Sequence, residues 1–246
     1  MTRSDTDMPP HKKVDASAHT FPVVEIFGPV LQGEGRMIGA QTLFVRFGYC
    51  DSRCSWCDTL YAVLPEQVQA QAERLTVDAI CARLRTLSPH TPWVTLSGGN
   101  PAIHDLSALV ERLHADGRKI AVETQGTVFR EWLRACEVVT VSPKPPSSGM
   151  PTDYARLDRY AALPNANLKV VVFDEADYAY ARDIHLRYPD VPFYAQVGNR
   201  VGQDDTAALL AKLDWLGQLA LADPAMGSVV VLPQLHVLLY GNRRGV

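Results

Sequence analysis

TLFVRFGYCDSRCSWCDT, residues 42–59, joins a short apolar run to three closely spaced cysteines. Cys50, Cys54 and Cys57 stand in C-x3-C-x2-C order. Thiolates at that spacing are soft ligands and suit either zinc or an iron–sulfur cube. A structural zinc site wants four protein ligands, and no second Cys or His pair at finger spacing follows within reach. A four-iron cube held by three cysteines leaves one iron with an open position, where a small molecule can bind and receive an electron. Such an opening implies chemistry. The other two cysteines, Cys81 and Cys136, fall on predicted helices, where a buried, inert thiol is expected.

Composition narrows the partners. The odd count of five cysteines, three of them within eight residues, points to ligands rather than disulfides and to a reducing, cytoplasmic setting. A formal net charge of -3 gives no basic surplus for holding nucleic acid or an anionic membrane. No apolar run approaches the roughly 20 residues needed to span a bilayer, and the N-terminus lacks the order of a signal peptide. A small or anionic ligand is therefore expected.

Residues 1–20 mix Pro9, Pro10, His11, Lys12 and Lys13 with scattered acids and no apolar periodicity, the composition of a disordered arm. Residues 21–246 are expected to form a single catalytic domain, since 246 residues with 47% hydrophobic content support one sizeable core. Short β-branched or aromatic runs occur at 23–26, 42–47, 93–96, 119–123, 138–141, 167–172, 193–196 and 229–232. Helical spacing occupies 77–87 after a Thr76 cap, 106–113 after Asp105, 174–187 and 204–222. Strand alternating with helix predicts mostly parallel strands, and the number of units falls short of a closed barrel. The expected fold class is α/β, a partial open (β/α) barrel.

Four of the apolar runs end in unusual polar signatures: SGGNP (97–101), ETQG (123–126), SPKP (142–145) and QVGN (196–199). Parallel strands put their carboxyl ends on one face, so clusters far apart in sequence are predicted to converge there.

The cysteine spacing, with Trp56 before the last thiol, resembles the radical S-adenosylmethionine superfamily. EIFGPVLQGEG (25–35), GAQTLFVR (39–46) and CDSRCSWCDTLY (50–61) narrow the resemblance to the 7-carboxy-7-deazaguanine synthase family. It continues through LSGGNP, VETQGT, VSPKPP and LKVVVFDEADY to LPQLHVLLYGNRRGV, covering nearly everything after Phe21. The resemblance implies a [4Fe-4S] cluster, S-adenosyl-L-methionine and Mg2+. It implies a lyase that contracts the ring of 6-carboxy-5,6,7,8-tetrahydropterin to 7-carboxy-7-deazaguanine with loss of ammonia, in queuosine or related 7-deazapurine synthesis. A one-electron donor such as flavodoxin and a homodimer are implied as partners.

Residue roles follow from the same resemblance. Leu31, Gln32 and Gly33 match a substrate loop, Arg46 a substrate-binding arginine, and Ser97 and His236 further substrate contacts. Arg46 could instead form a strand-end salt bridge, and His236 could be a structural residue of a small helix. Thr59 matches a magnesium ligand, held mainly by substrate and waters otherwise. Gly99, Asn100, Ser142, Pro143, Lys144, Gln196, Val197, Gly198 and Asn199 match stretches that bind the cofactor, Gly99 by letting backbone approach it. Asn100 departs from a common superfamily glutamate. Glu34 could pair with the guanidine-like part of the pterin or be a solvated loop carboxylate, and Glu123 could bind ribose or a substrate amine. No residue is assigned as a catalytic acid, base or nucleophile. The tail YGNRRGV (240–246) differs from family members that end soon after the histidine. Two other functions compete: an activase that oxidises a partner protein's glycine, and a zinc- or cluster-bearing interaction module.

Overall fold

The chain is described by a computed structural model over residues 19–246. The arm expected over 1–20 lies outside the described residues except for its last two. β1 (Phe21–Leu31) and β2 (Gln41–Phe47) pair antiparallel, with Glu25 opposite Arg46. Two short helices follow the cysteine loop, α1 (Leu60–Val63) and α2 (Pro65–Gln71), the latter opening on a proline whose missing N–H costs nothing there. β3 (Glu73–Leu75) then adds antiparallel to β1.

From here strand and helix alternate as the periodicity predicts. The elements are α3 (Val77–Leu87), β4 (Trp93–Gly98), α4 (Ser107–Ala115), β5 (Lys119–Thr124), β6 (Val138–Val141), α5 (Tyr154–Ala161), β7 (Ala166–Val172), α6 (Glu175–Arg187), β8 (Phe193–Val197), α7 (Thr206–Ala222), β9 (Val230–Leu232) and α8 (Leu235–Tyr240). The strands form one sheet in the order β3-β1-β2-β4-β5-β6-β7-β8-β9. Every pairing from β2 with β4 to β8 with β9 is parallel. The terminal strands of the order are different, so the sheet is open, as the partial barrel requires.

Local chemistry explains the starts of the helices. Thr76 Oγ1 accepts the amide of Ala79 at 3.2 Å, and Asp174 and Asp205 cap α6 and α7 through the amides of Asp177 and Ala208. The structure moves two expected boundaries. Asp105 does not cap α4 but bonds Ser107 N and Oγ in a turn ahead of it. Asp204 gives way to Asp205, because its own carboxylate accepts Arg200 N at 2.7 Å. β3, α1, α2 and α5 lie outside the expected elements, being short or, in α5, burying only Leu157 and Tyr160. Cys81 lies buried on α3 as expected. Cys136 does not lie on a regular helix but just past a 3-10 turn, Glu131–Ala135. Burial pushes the Cys81 thiol up to about 11 and the Cys136 thiol up to about 12, so both stay protonated.

All residues of β6 and β7 are buried, which is why VVTV reads as an almost continuous apolar run and why Asn167 and Lys169 within ANLKVVV face the interior rather than solvent. The register keeps the carboxyl ends level: Phe47 lies beside Gly98, Thr124 beside Val141, and Val172 beside Val197. Beyond β2, Tyr49 has φ of 73°, a left-handed conformation that costs a non-glycine residue about 1 kcal/mol or more. It is held from both sides, Tyr49 N donating to Ala62 O at 2.8 Å and Asn100 N donating to Tyr49 O at 2.9 Å. This turn sends the chain from β2 into the cysteine loop. Among the described residues no helix is long and apolar enough to cross a membrane.

Candidate active site

The level carboxyl ends surround a cavity of about 470 Å³, within the usual range for small-molecule sites. Each of the four strand-end signatures reaches its wall: Ser97 and Gly99, Glu123 to Gln125, Ser142 and Lys144, and Asn199. Cys50, Cys54 and Cys57 line the same cavity with free, half-buried thiols. Burial raises the Cys50 and Cys54 thiols above their ordinary values, the Cys54 thiol also feeling Cys57 and Cys50. Among the described residues no three His, Cys, Asp or Glu side chains gather closely enough to hold a single metal ion.

The cysteine loop is fastened to the loop after β6. Ser55 N donates to Ser148 O at 3.0 Å, Ser55 Oγ to Ser147 O at 2.6 Å, and Trp56 Nε1 to Ser147 Oγ at 2.9 Å. Trp56 packs on Phe173, ring centroids 5.1 Å apart, with the Lys144 ammonium 5.6 Å from the indole centre. Thr59 lies on the wall beside the triad, its Oγ1 3.7 Å from Cys57 Sγ.

A second group of wall residues is charged and largely withdrawn from solvent. Lys169, in the middle of β7, is 4% exposed and ion-pairs with Glu34, while its Nζ lies 3.6 Å from Glu123 Oε2. Gln32 Nε2 donates to Glu123 Oε1 at 2.7 Å, and Gln234 Nε2 to Glu34 Oε1 at 2.6 Å. Burial opposes the charge on Glu34, but Lys169 overcomes it with help from His236 and Gln234, holding the carboxyl well below the usual range. Burial likewise opposes the Lys169 charge, and Glu123 and Glu34 push its affinity for a proton above that of an ordinary lysine. Glu34 is thus no solvated loop carboxylate. Gly33 belongs to this group through space: a Cβ there would lie 2.1 Å from His236 Nδ1, so only glycine lets the loop meet α8. Leu235 N, donating to Gly33 O at 2.9 Å, seals that contact.

Arg46 also lines the cavity, with Leu31 nearby on the wall. Its Nε donates to Glu25 at 2.7 Å, the strand-end pair foreseen as an alternative. The guanidinium has three nitrogens, so that bond leaves the fork capable of meeting a second carboxylate. Phe27 and Tyr61 flank it at 5.7 and 5.9 Å. Burial pushes the Tyr61 hydroxyl up to about 12, keeping it a donor to Glu25 at 2.8 Å. Phe27 and Phe44 stack nearly parallel at 4.9 Å and give the cavity a flat apolar wall. The tail from Gly241 to Val246 lies along the cavity too, with Arg244 stacked 3.7 Å from the centre of the Tyr61 ring.

Several expected cofactor contacts stand behind the wall. Pro143, Val197 and Gly198 do not line the cavity, and a Cβ on Gly198 would strike the Phe173 ring. Asn100 is fully buried: Nδ2 donates to Asp51 Oδ1 and Thr127 Oγ1, while Oδ1 accepts from Thr124 Oγ1 and Ala102 N. Its amide is saturated, leaving nothing for a cofactor ammonium, and a glutamate in its place would face Asp51. Gly99 does reach the wall, but a Cβ would sit 2.0 Å from Tyr49 O, so the protein's own backbone demands glycine. Gln196, another expected cofactor contact, does not line the cavity either and is fully buried with both amide atoms unpaired among the described residues, whereas Ser97 Oγ and Asn199 Oδ1 are unpaired on residues of the wall itself. Orphaned polar atoms cost roughly 1–3 kcal/mol each, and those at a cavity wall are natural contacts for a polar ligand.

No protein-family model matches the chain. It is 42% identical to the 7-carboxy-7-deazaguanine synthase of Bacillus cereus over 92% of this chain and 99% of that protein. The chain belongs to the 7-carboxy-7-deazaguanine synthase family. The Bacillus subtilis member is 42% identical over 93% of this chain and 100% of its own length. The fold agrees: the crystal structure of QueE from Escherichia coli, 22% identical, superposes with a TM-score of 0.70 over 91% of this chain and all of that one. Streptococcus suis SuiB bound to S-adenosylmethionine shares the fold more distantly, with a TM-score of 0.53 at 12% identity, over 80% of this chain and 53% of that one. This family is one of radical S-adenosylmethionine enzymes, and the chain is an enzyme of that kind.

Sequence reasoning missed Lys169, Gln234 and Tyr61 in this family's cavity. One signal was available for the first: a lysine inside LKVVV, in one of the apolar runs of a mostly parallel sheet, is too costly to bury without partners.

Proposed function

We propose that this chain contracts the ring of 6-carboxy-5,6,7,8-tetrahydropterin to 7-carboxy-7-deazaguanine with loss of ammonia, supplying queuosine or a related 7-deazapurine. The observation that carries this is one cavity lined both by three soft thiols and by a buried carboxylate–lysine network. Three soft thiols on one loop at the cavity wall, with no fourth protein thiol among the lining residues, suit a four-iron cluster with one open position, so Cys50, Cys54 and Cys57 would hold [4Fe-4S]. The unpaired Ser97 and Asn199 atoms, with Ser142, Lys144 and Trp56, fit S-adenosyl-L-methionine. Together these two groups supply one-electron radical chemistry when bound.

The chain's own residues bind and orient. Glu34, kept ionised by Lys169, and Glu123 beside it can accept N–H groups from the guanidine-like edge of the pterin, and Gln32 steadies Glu123. Phe27 and Phe44 cover a ring face, and the free part of the Arg46 fork suits the substrate carboxylate. His236 and the loop 31–33 close the substrate region. Thr59 would help hold Mg2+ against that carboxylate, with water completing the shell. The setting that fits this chemistry is cytoplasmic, with a protein donor of single electrons such as flavodoxin, a homodimeric assembly, and no role for nucleic acid or membrane.

The deciding experiment is turnover: anaerobically reconstituted protein given the carboxypterin, S-adenosylmethionine, Mg2+ and a reductant should yield a product whose mass shows ammonia loss. Substrate recovered unchanged while S-adenosylmethionine is cleaved would sink the substrate assignment. Arg46→Lys should weaken carboxypterin binding by about tenfold, the worth of one charge-assisted hydrogen bond, and leave cofactor binding near wild type. Equal loss of both would make Arg46 structural. Thr59→Ala should raise the magnesium needed for half-maximal activity without altering cluster absorption, and an unchanged titration would remove Thr59 from the site.

A further inference from the structure

Behind Cys50 stands a group of amides and a carboxylate that substrate binding does not use. Gln125, just past β5, is buried. Its Nε2 lies 2.6 Å from Asp51 Oδ1, 3.3 Å from Cys50 Sγ and 3.5 Å from Ser52 Oγ. Asp51 Oδ1 also accepts Asn100 Nδ2 at 2.8 Å, and Asn100 is itself locked by Thr124 Oγ1 at 2.9 Å and Ala102 N at 3.1 Å. A primary amide has two N–H groups. With one committed to the clamped carboxylate, the other is available to the sulfur. Ser52 N adds a second donor to the same sulfur at 3.4 Å.

We propose that Gln125, clamped by Asp51 and Asn100, sets the reduction potential of a cluster held on Cys50, Cys54 and Cys57 by donating a hydrogen bond to Cys50 Sγ. This rests on those thiols being the cluster ligands. Reduction adds one negative charge to the cluster, part of it on the ligand sulfurs. An N–H aimed at a thiolate stabilises the more negative state more, and in a buried setting water does not screen it. Outer hydrogen-bond partners tune a metal group in this way without touching the substrate. Gln125 is therefore a positioning residue acting through Cys50.

The test is a redox titration of the reconstituted full-length protein, followed by the EPR signal of the reduced cluster, so that only loaded molecules are read. Gln125→Leu should move the midpoint to more negative potential. Gln125→Glu, which exchanges the donor for a carboxylate, should move it further in the same direction. Midpoints of the two Gln125 variants equal to that of the wild type would overturn the proposal. Should those variants retain no cluster, wild-type protein with its glutamine side-chain amides labelled with 15N decides the matter. A coupling of that nitrogen to the reduced cluster in pulsed EPR supports the bond, and its absence overturns it. Wild-type protein that binds no cluster at all would instead refute the ligand assignment on which the proposal stands.

Discussion

Cys54→Ala is expected to abolish the cluster and, with it, all formation of methionine and 5'-deoxyadenosine, while the fold survives. Cys54 sits half-buried on a loop, so truncating it removes little packing. Its neighbours keep the loop in place through Ser55 and Trp56 bonds to residues 147 and 148. Iron content and visible absorption after anaerobic reconstitution measure the loss, and circular dichroism checks the fold. Cys81→Ala is the control: that thiol is buried away from the cavity, so the cluster should load normally at a stability cost of about 1 kcal/mol. A full cluster in Cys54→Ala, or a lost one in Cys81→Ala, would overturn the assignment of the triad.

Lys169→Met should destabilise the protein by about 3 kcal/mol, since it removes a buried cation from between two partly buried carboxylates while roughly keeping volume. It should also invert the pH dependence below neutrality. In the wild type the Glu34 carboxyl is held below its ordinary value of 4.5, so its stabilising contribution is complete above that value and is lost as the pH falls. Without Lys169 the remaining dominant influence is burial, which raises the carboxyl, and protonation then relieves an unpaired charge. The variant should therefore gain stability on acidification from neutral pH where the wild type gains none. Melting temperature measured from pH 7 down to about pH 4 distinguishes them. Parallel curves would mean that Lys169 does not govern the ionisation of Glu34. Lys169 itself binds its proton more tightly than usual, so its contribution is full across this window.

What could be read from the chain was local. Thr76 and the 3.6-residue pattern after it fix α3 to the residue, because a cap and an amphipathic face are both encoded within a few positions. Runs such as VVTV show their burial by composition alone. The triad and the four strand-end signatures were legible for the same reason, being short motifs in which several ligand-type residues are adjacent. Lys169 was hidden inside one of those apolar runs, and its meaning depends on Glu34, 135 positions earlier. Gln234 meets that same Glu34 across 200 positions, a pairing that no window of sequence contains. Gly99 illustrates a subtler loss: glycine was expected there, but the atom that demands it is the carbonyl of Tyr49 rather than a cofactor.

By itself, then, the sequence determined an open, mostly parallel α/β sheet and a thiol triad set at its carboxyl edge, because strand propensity, helix caps and ligand spacing are properties of neighbouring residues. Only the tertiary structure decided what each polar side chain does. Asn100 is saturated by four partners and withdrawn from the cavity, Gln125 is turned onto Cys50, and Lys169 is enclosed between Glu34 and Glu123. The physical reason is that a buried polar group must find partners wherever the fold brings them, and the sheet register, not the order of residues along the chain, sets which ones are within reach.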